Sequence, residues 1–398
     1  MKISKRVLSC ELSPIRKFAP YAEAARARGT KIYHLNIGQP DIVTPPAFYE
    51  AVRNFSNPVL EYAGSDGRPE LINAIISYYN KLNVRYEHGD ILITVGGSEA
   101  LNILMMCILD EGSEVLIPEP FYPNYTTFIH AAGGRVQPIP TSAEEGYRLP
   151  DRKQIESRIN ANTRAILVTN PSNPTGVALT KEQQQMLVDI AVKHDLYLIS
   201  DEVYREFVYN SDELTTFASF EQAKENVVLI DSVSKRFSAC GARIGCLISK
   251  NRTLMGEAMK FCQARLCVAT LDQIAAARLY ELDSDYFAQT KEEYCRRRDT
   301  VIEKLQQIPD VICSHPDGAF YTMAALPIDD AEKFQTWLLN EFSDHGETVM
   351  FSPARCFYAT PGKGINEIRI AYVLNQKDLT RAMELLALGI EAYNKQNN

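Results

Sequence analysis

The chain has 398 residues, of which 45% are hydrophobic and 23% charged, and a net charge of −8 from 42 Lys and Arg against 50 Asp and Glu. This ordinary globular composition excludes wholesale disorder, and 20 Gly with 20 Pro exclude a collagen-like chain. The mildly acidic balance lacks the basic footprint that nonspecific DNA binding needs.

At roughly 150 residues per domain, this length predicts two or three domains. The 9 cysteines are scattered and form no Cys-x-x-Cys pair. Cys107, Cys246 and Cys267 lie in apolar runs, where a thiol acts as a small buried hydrophobe. This usage predicts a reduced, cytoplasmic protein rather than a disulfide framework. The opening MKISKRVLSCELSPIRK has no apolar stretch behind its basic residues, so no signal peptide is expected. No apolar run is long enough to span a bilayer.

Residues 1–30 predict an arm and a short helix, YAEAARARG, closed by Gly29. KIYHLNIGQPD follows as a strand and a turn at Gly38, Pro40 and Asp41. Pro45 and Pro46 suit the first turn of a helix, where a missing N–H costs nothing. GRPELINAIISYYNKL (67–82) carries apolar residues at helical spacing. Strands are predicted at 91–95, 114–118, 135–139, 165–169, 196–200, 226–230 and 244–249, with helices such as 181–195 between most of them. Val-, Ile- and Leu-rich runs alternating with amphipathic helices predict an α/β fold, a mostly parallel sheet covered by helices. After about residue 280 the pattern changes to a long polar helix (286–307), the strand GAFYTMAAL, a helix (330–342), the strand EIRIAYV and a last helix (378–394). That reads as a smaller α+β domain. The expected division is 1–45 as N-terminal arm and part of the small domain, 46–280 as the large domain and 281–398 as the small one.

In an open α/β sheet, ligands bind beyond the carboxyl ends of the strands. After 165–169 comes Asn170-Pro171-Ser172-Asn173-Pro174-Thr175-Gly176, and after 196–200 comes Asp201-Glu202-Val203-Tyr204. After 226–230 come Asp231-Ser232-Val233-Ser234-Lys235 and then Arg243; after 91–95, Gly96-Gly97-Ser98-Glu99 opens a helix. Singly, each has an ordinary use as a turn, a helix cap or a surface charge. Together, and each at a strand end, they have one chemical logic. A helix N-terminus of small residues with Ser hydroxyls and an Arg cradles phosphate. A Lys in the same crevice forms a Schiff base with an aldehyde. An Asp facing a pyridine nitrogen favours the protonated ring. Phosphate, aldehyde and pyridine belong together in pyridoxal 5′-phosphate, the large domain's expected ligand.

On these motifs the chain resembles the class I/II aminotransferases of the fold type I pyridoxal-phosphate-dependent superfamily. The resemblance runs from Gly38-Gln39-Pro40-Asp41 to Arg369-Ile370-Ala371-Tyr372. It is strongest to the bacterial and archaeal branch that holds many aspartate and broad-specificity enzymes. The resemblance implies that Lys235 carries the Schiff base, Asp201 pairs with the ring nitrogen, and Asn173 and Tyr204 hold the ring's phenolate oxygen. It implies phosphate binding by the backbone of Gly97, Ser98 and Glu99 with Ser232, Ser234 and Arg243, and ring stacking by Tyr122. Arg369 would take the substrate α-carboxylate beside the Gly38 backbone and Asn173. Tyr62 would reach the cofactor of a neighbouring subunit, which implies a homodimer with shared sites. The expected reaction is ping-pong transfer of an amino group from an L-amino acid, aspartate or a broad or aromatic set, to a 2-oxo acid such as 2-oxoglutarate. Lys235 would move the α-proton as general base and acid.

The same cofactor residues serve a pyridoxal-phosphate-dependent carbon–sulfur β-lyase, which would release pyruvate and ammonia instead. A pyridoxal-phosphate-sensing regulator would need a DNA-binding domain ahead of the first strand, and only about 30 residues precede it. No Gly-x-Gly-x-x-Gly marks a nicotinamide site. His34, His88, His130, His194, His315 and His345 form no ligand pair, so no metal is expected, nor a membrane or nucleic-acid partner. Where the family often has Pro-Gly, this chain has Pro353-Ala354-Arg355, which leaves substrate choice open. Arg265 and Arg355 are candidate cations for an acidic side chain; Phe18, Tyr122, Phe351 and Phe357 would suit an apolar one.

Overall fold

A computed structural model describes residues 1–10, 12–209 and 215–397. Its strands are β1 (Lys31–His34), β2 (Ile91–Val95), β3 (Glu114–Glu119), β4 (Arg135–Pro140), β5 (Thr163–Thr169), β6 (Tyr197–Asp201) and β7 (Val227–Ser232). There follow β8 (Ile244–Ile248), β9 (Ile312–Cys313), β10 (Tyr321–Ala325), β11 (Glu347–Met350), β12 (Ser352–Pro353) and β13 (Glu367–Ala371). Seven of them form one sheet in the order β2-β8-β7-β6-β5-β3-β4. Pairing is parallel from β7 through β4, while β8 is antiparallel to both β2 and β7.

The sheet is covered on both faces, as runs of buried Val, Ile and Leu require. Alternate residues enter two different cores. Ile91, Ile93, Leu116, Ile166, Leu198 and Leu229 pack with helices 69–81, 181–193 and 270–279. Leu92, Val115, Ile117, Leu167, Ile199 and Ile230 pack with helices 96–108, 124–131 and 252–265. The two-residue period of a strand assigns each side chain to its face.

A second sheet, β12-β13-β10-β9, is antiparallel throughout and packs on the long helices Ser284–Gln306 and Gln376–Asn397. β1 pairs in parallel with β11, Lys31 opposite Glu347, which joins the N-terminal segment to this layer. The first residues lie elsewhere: the Cys10 thiol and the Ser9 carbonyl meet Thr127 and His130 of the helix Asn124–Ala131. Val203, Tyr204 and Phe207, which follow β6, are packed into the core of the second sheet. The cleft between the two sheets therefore opens at the β6 strand end.

Candidate active site

The reversed strand explains how the site is assembled. β5, β6 and β7 all end on one edge of the large sheet, at Thr169, Asp201 and Ser232. β8 runs the other way, so its beginning lies on that edge and brings in Arg243. The register sets Val95 beside Ile244 and Ser232 beside Gly245. Three loops thus crowd together, and two positions have no room for a side chain. A Cβ on Gly245 would lie 2.5 Å from the Gly96 carbonyl carbon; one on Gly96, whose φ is +70°, would lie 2.4 Å from Arg243 Nη2. At 245 a side chain would strike backbone that cannot yield; at 96 it would push the Arg243 guanidinium from its place, and the positive φ adds strain.

Gly97, Ser98, Ser232, Ser234 and Arg243 all line one cleft of about 410 Å³. The same cleft is lined by Tyr122, Asn173, Asp201, Tyr204, Lys235, Gly38 and Arg369. The structure thus brings together most of the residues singled out in the sequence. Glu99 and Tyr62 lie outside the lining. The Glu99 carboxylate turns back to accept from the Val95 N–H at 2.7 Å and pairs with Arg265 at 3.3 Å. Only its backbone N–H, in the first turn of the helix Gly96–Ile108, is available to an anion. Tyr62 is 80% exposed, away from the lining of its own chain's cleft.

At the cleft floor, Asp201 accepts a 2.7 Å hydrogen bond from the Tyr125 hydroxyl, which also lies 2.7 Å from Thr169 Oγ1. Burial, the largest influence, pushes the Asp201 carboxyl from 3.8 up to about 6; the Tyr125 hydrogen bond and the Lys235 charge pull it back, and the Asp231 charge adds to burial. Between pH 3.8 and about 6 the folded chain therefore holds a proton there that the unfolded chain has released. Stability from this group is fully present below the unfolded value and is lost as pH rises through about 6. At about 1.4 kcal/mol per pH unit, the cost above that range is on the order of 3 kcal/mol for protein without added ligand. Asp201→Asn should therefore melt above wild type at pH 8 and lose that advantage at pH 4. A difference that does not change with pH would contradict this assignment.

Lys235 Nζ donates to the Gly38 carbonyl at 2.8 Å and lies 3.8 Å from the Cys240 thiol. Gly38 is itself fixed from the other side, since a Cβ there would fall 1.7 Å from the Tyr321 hydroxyl. That hydroxyl is 3.0 Å from the Tyr204 hydroxyl. Burial, and then the Tyr321 phenol, hold the Tyr204 phenol well above its ordinary range, so it remains a donor.

Arg369 is 2% exposed, with its guanidinium 4.6 Å from the Tyr321 ring and 5.0 Å from the Phe357 ring. Nη1 donates to Asn173 Oδ1 at 2.9 Å, and Nη2 donates to the Asn36 carbonyl at 2.6 Å and Ser352 Oγ at 3.4 Å. All these partners are neutral, and Nε is buried with no hydrogen-bond partner. A buried cation so held is a receptor for an anion, because an unpaired charge away from water is costly.

Of the suggested side-chain cations, Arg265 is taken by Glu99 and the Ile93 carbonyl, and Arg355 by Asp330 at 2.7 Å. Neither lines the cleft, whereas Arg16 at its mouth does. Of the four aromatic candidates only Tyr122 lines it; Phe357 lies beneath Arg369. Ala354 belongs to a short 3₁₀ turn, Ala354–Phe357, without positive φ, so the absent glycine leaves no strain. Tyr125, Tyr321, Asn36 and Ser352 are the site residues that the sequence did not mark.

The family model for aminotransferases of class I and II matches residues 30–386. The aspartate aminotransferase of Pyrococcus horikoshii is 30% identical over 395 residues, 98% of this chain and 97% of that one. A probable aspartate/prephenate aminotransferase of Aquifex aeolicus is 29% identical, over 98% of both. Among solved structures, Thermus thermophilus aspartate aminotransferase with maleate superposes with a TM-score of 0.88 at 28% identity, covering 98% of this chain and 100% of that one. The alanine aminotransferase of Pyrococcus furiosus does so with a TM-score of 0.89, also at 28% identity and the same coverage. A cleft lined by a lysine, a buried carboxylate and an anion-seeking arginine, on a chain matched from residue 30 to 386, makes this protein an enzyme of the class I and II aminotransferase family.

Proposed function

We propose that the cleft holds pyridoxal 5′-phosphate on Lys235 and transfers an amino group between an L-amino acid and a 2-oxo acid such as 2-oxoglutarate. When bound, that cofactor supplies an aldehyde for amines and a ring that accepts the electron pair released at the substrate α-carbon. The fit rests on the donor set. Gly97, Ser98 and Glu99 offer first-turn N–H groups at the start of a helix. Ser232 Oγ accepts from the Ser234 N–H at 3.2 Å, which leaves its own proton free for a phosphate oxygen. Arg243 supplies the compensating charge. Asp201 would hold a proton at the pyridine nitrogen, and that positive partner would offset the burial that now raises its carboxyl. Asn173, with Oδ1 engaged by Arg369, has its amide N–H groups free to donate, as does the Tyr204 hydroxyl. Tyr122 lies on the cleft wall and would cover one face of the ring.

Lys235 Nζ would hold the cofactor through its aldehyde and, once freed by substrate, would accept the α-proton as general base and give it back as general acid. Arg369 binds the α-carboxylate, and this is the observation that carries the reading. A buried guanidinium with neutral partners and a free Nε lies in the same cleft as a lysine and a buried carboxylate. Arg369→Lys should raise the KM for amino donors by roughly 10- to 100-fold, the loss of one charge-assisted bidentate pair. Steady-state kinetics with an unchanged KM would remove Arg369 from substrate binding.

Transfer to a 2-oxo acid, rather than β-elimination, is favoured by relatives that carry aminotransferase names along their whole length. Their names also favour aspartate among the donors. A homodimer with shared sites is supported by Tyr62, exposed beside Val59 and Leu60 on a segment held by the Thr270 hydroxyl at the Glu61 carbonyl. A core that runs from Phe48 to Tyr280, and another that joins Tyr33 and Leu35 to residues from Tyr294 onward, support the division at about 45 and 280, with 1–45 as arm and part of the small domain. Nine free cysteines support a reducing compartment, the cytoplasm. Among the described residues no helix is long and apolar enough to cross a membrane.

A further inference from the structure

Lys235 rides on a helix of one turn, Val233–Arg236. So short a helix has almost no stability of its own and takes its position from its surroundings. On the cleft side is the Lys235 amine. On the other side is Arg236, only 1% exposed. Its Nη2 donates to both oxygens of Asp231, at 2.9 and 3.0 Å, and its guanidinium lies 4.5 Å from the centre of the Tyr78 ring. Asp231 also accepts from the Ser232 N–H at 2.8 Å, the Tyr79 hydroxyl at 2.9 Å and Arg205 Nη2 at 3.3 Å. Arg205 is paired with Glu202, and Glu206 accepts from the Tyr78 hydroxyl and lies 4.0 Å from Arg236 Nε.

Glu202 directly follows Asp201, and Arg205 and Glu206 lie in the same segment just beyond Tyr204. The network therefore ties the segment that presents Asp201 to the turn that presents Lys235, from behind the cleft. As a source of stability it is a poor choice. Desolvation offsets much of the attraction among buried charges, and apolar side chains of equal volume would stabilise as well. Arg236 Nε and Nη1 are even left without a hydrogen-bond partner. What such a network can supply, and an apolar core cannot, is directional fixing of two loops.

We propose that Asp231 and Arg236 are positioning residues that set the reach of the Lys235 amine relative to Asp201. The inference rests on the role given to Lys235 above. Asp231→Asn keeps the shape and removes the charge; Arg236→Lys keeps the charge and shortens the reach; Tyr79→Phe deletes one donor to Asp231 and is the mildest. Each full-length variant, stripped of cofactor, is mixed with pyridoxal phosphate, and growth of the lysine-adduct absorbance is timed. Borohydride mapping then gives the share of label on position 235. For the first two variants the rate and kcat should fall about 10- to 100-fold, as misplacement of a reacting group by about an ångström does. KM for the amino donor should stay within about threefold, because Arg369 and Asn173 are untouched. Tyr79→Phe should shift the rate in the same direction, and it decides the matter if the stronger variants do not fold. Variants that melt earlier but form the adduct at the wild-type rate with wild-type kcat would overturn the proposal. Failure of wild type to label Lys235 would instead overturn the functional reading beneath it.

Discussion

Lys235→Ala should lower amino transfer by roughly 10⁴-fold or more, because it removes both the amine that holds the cofactor and the group that moves the α-proton. The fold should survive. The amine's hydrogen bonds in the structure are to the Gly38 carbonyl and the Cys240 thiol, while the helix that carries it is fixed by Arg236 and the buried Val233. The variant should therefore melt near the wild-type temperature and still bind pyridoxal phosphate noncovalently, through the glycine–serine cradle and Arg243. It should not develop the lysine-adduct absorbance. Retained transfer would show that another amine does the work.

Asp201→Ala should leave that absorbance intact and lower kcat by about 10²- to 10³-fold, the scale expected when one preorganised electrostatic partner is lost. The carboxylate lies among Tyr125, Thr169 and Val203, remote from any role in holding phosphate. Its removal leaves the Tyr125 hydroxyl with Thr169 as partner, so the local packing should relax little. Single-turnover experiments should place the loss in proton removal rather than in substrate binding. Near-normal rates would show that this carboxylate does not set the protonation of the ring.

The strands and the strand-end motifs were legible in the sequence for a simple reason: buried parallel strands are continuous apolar runs, and the polar residues that interrupt them stand out. In the large sheet, predicted and observed strands agree to within two residues at their ends, as at 165–169 against Thr163–Thr169. The direction of β8 was not legible. IGCLIS is buried on both faces like its neighbours, so its composition is the same in either direction. Nor were β9 and β12, because two residues carry no periodicity. The missed site residues share a cause. Tyr321 reaches Tyr204 across more than a hundred intervening positions, Asn36 reaches Arg369 from the opposite end of the chain, and Ser352 meets Arg369 from a neighbouring strand whose pairing the sequence does not show. Gly-Ala-Phe-Tyr reads as an ordinary strand start, and nothing in it says which aromatic faces the cleft. Tyr125 stands beside Tyr122 in EPFYPNY, yet the two rings meet edge to face at 5.4 Å and serve different ends, one on the wall and one under Asp201.

The most direct measurement is chemical. The purified protein, loaded with pyridoxal phosphate, is reduced with borohydride and digested, and its peptides are weighed. A pyridoxyl group on Lys235, absent from the Lys235→Ala variant, is the predicted result. A reduced protein that carries the label elsewhere, or not at all, would contradict it.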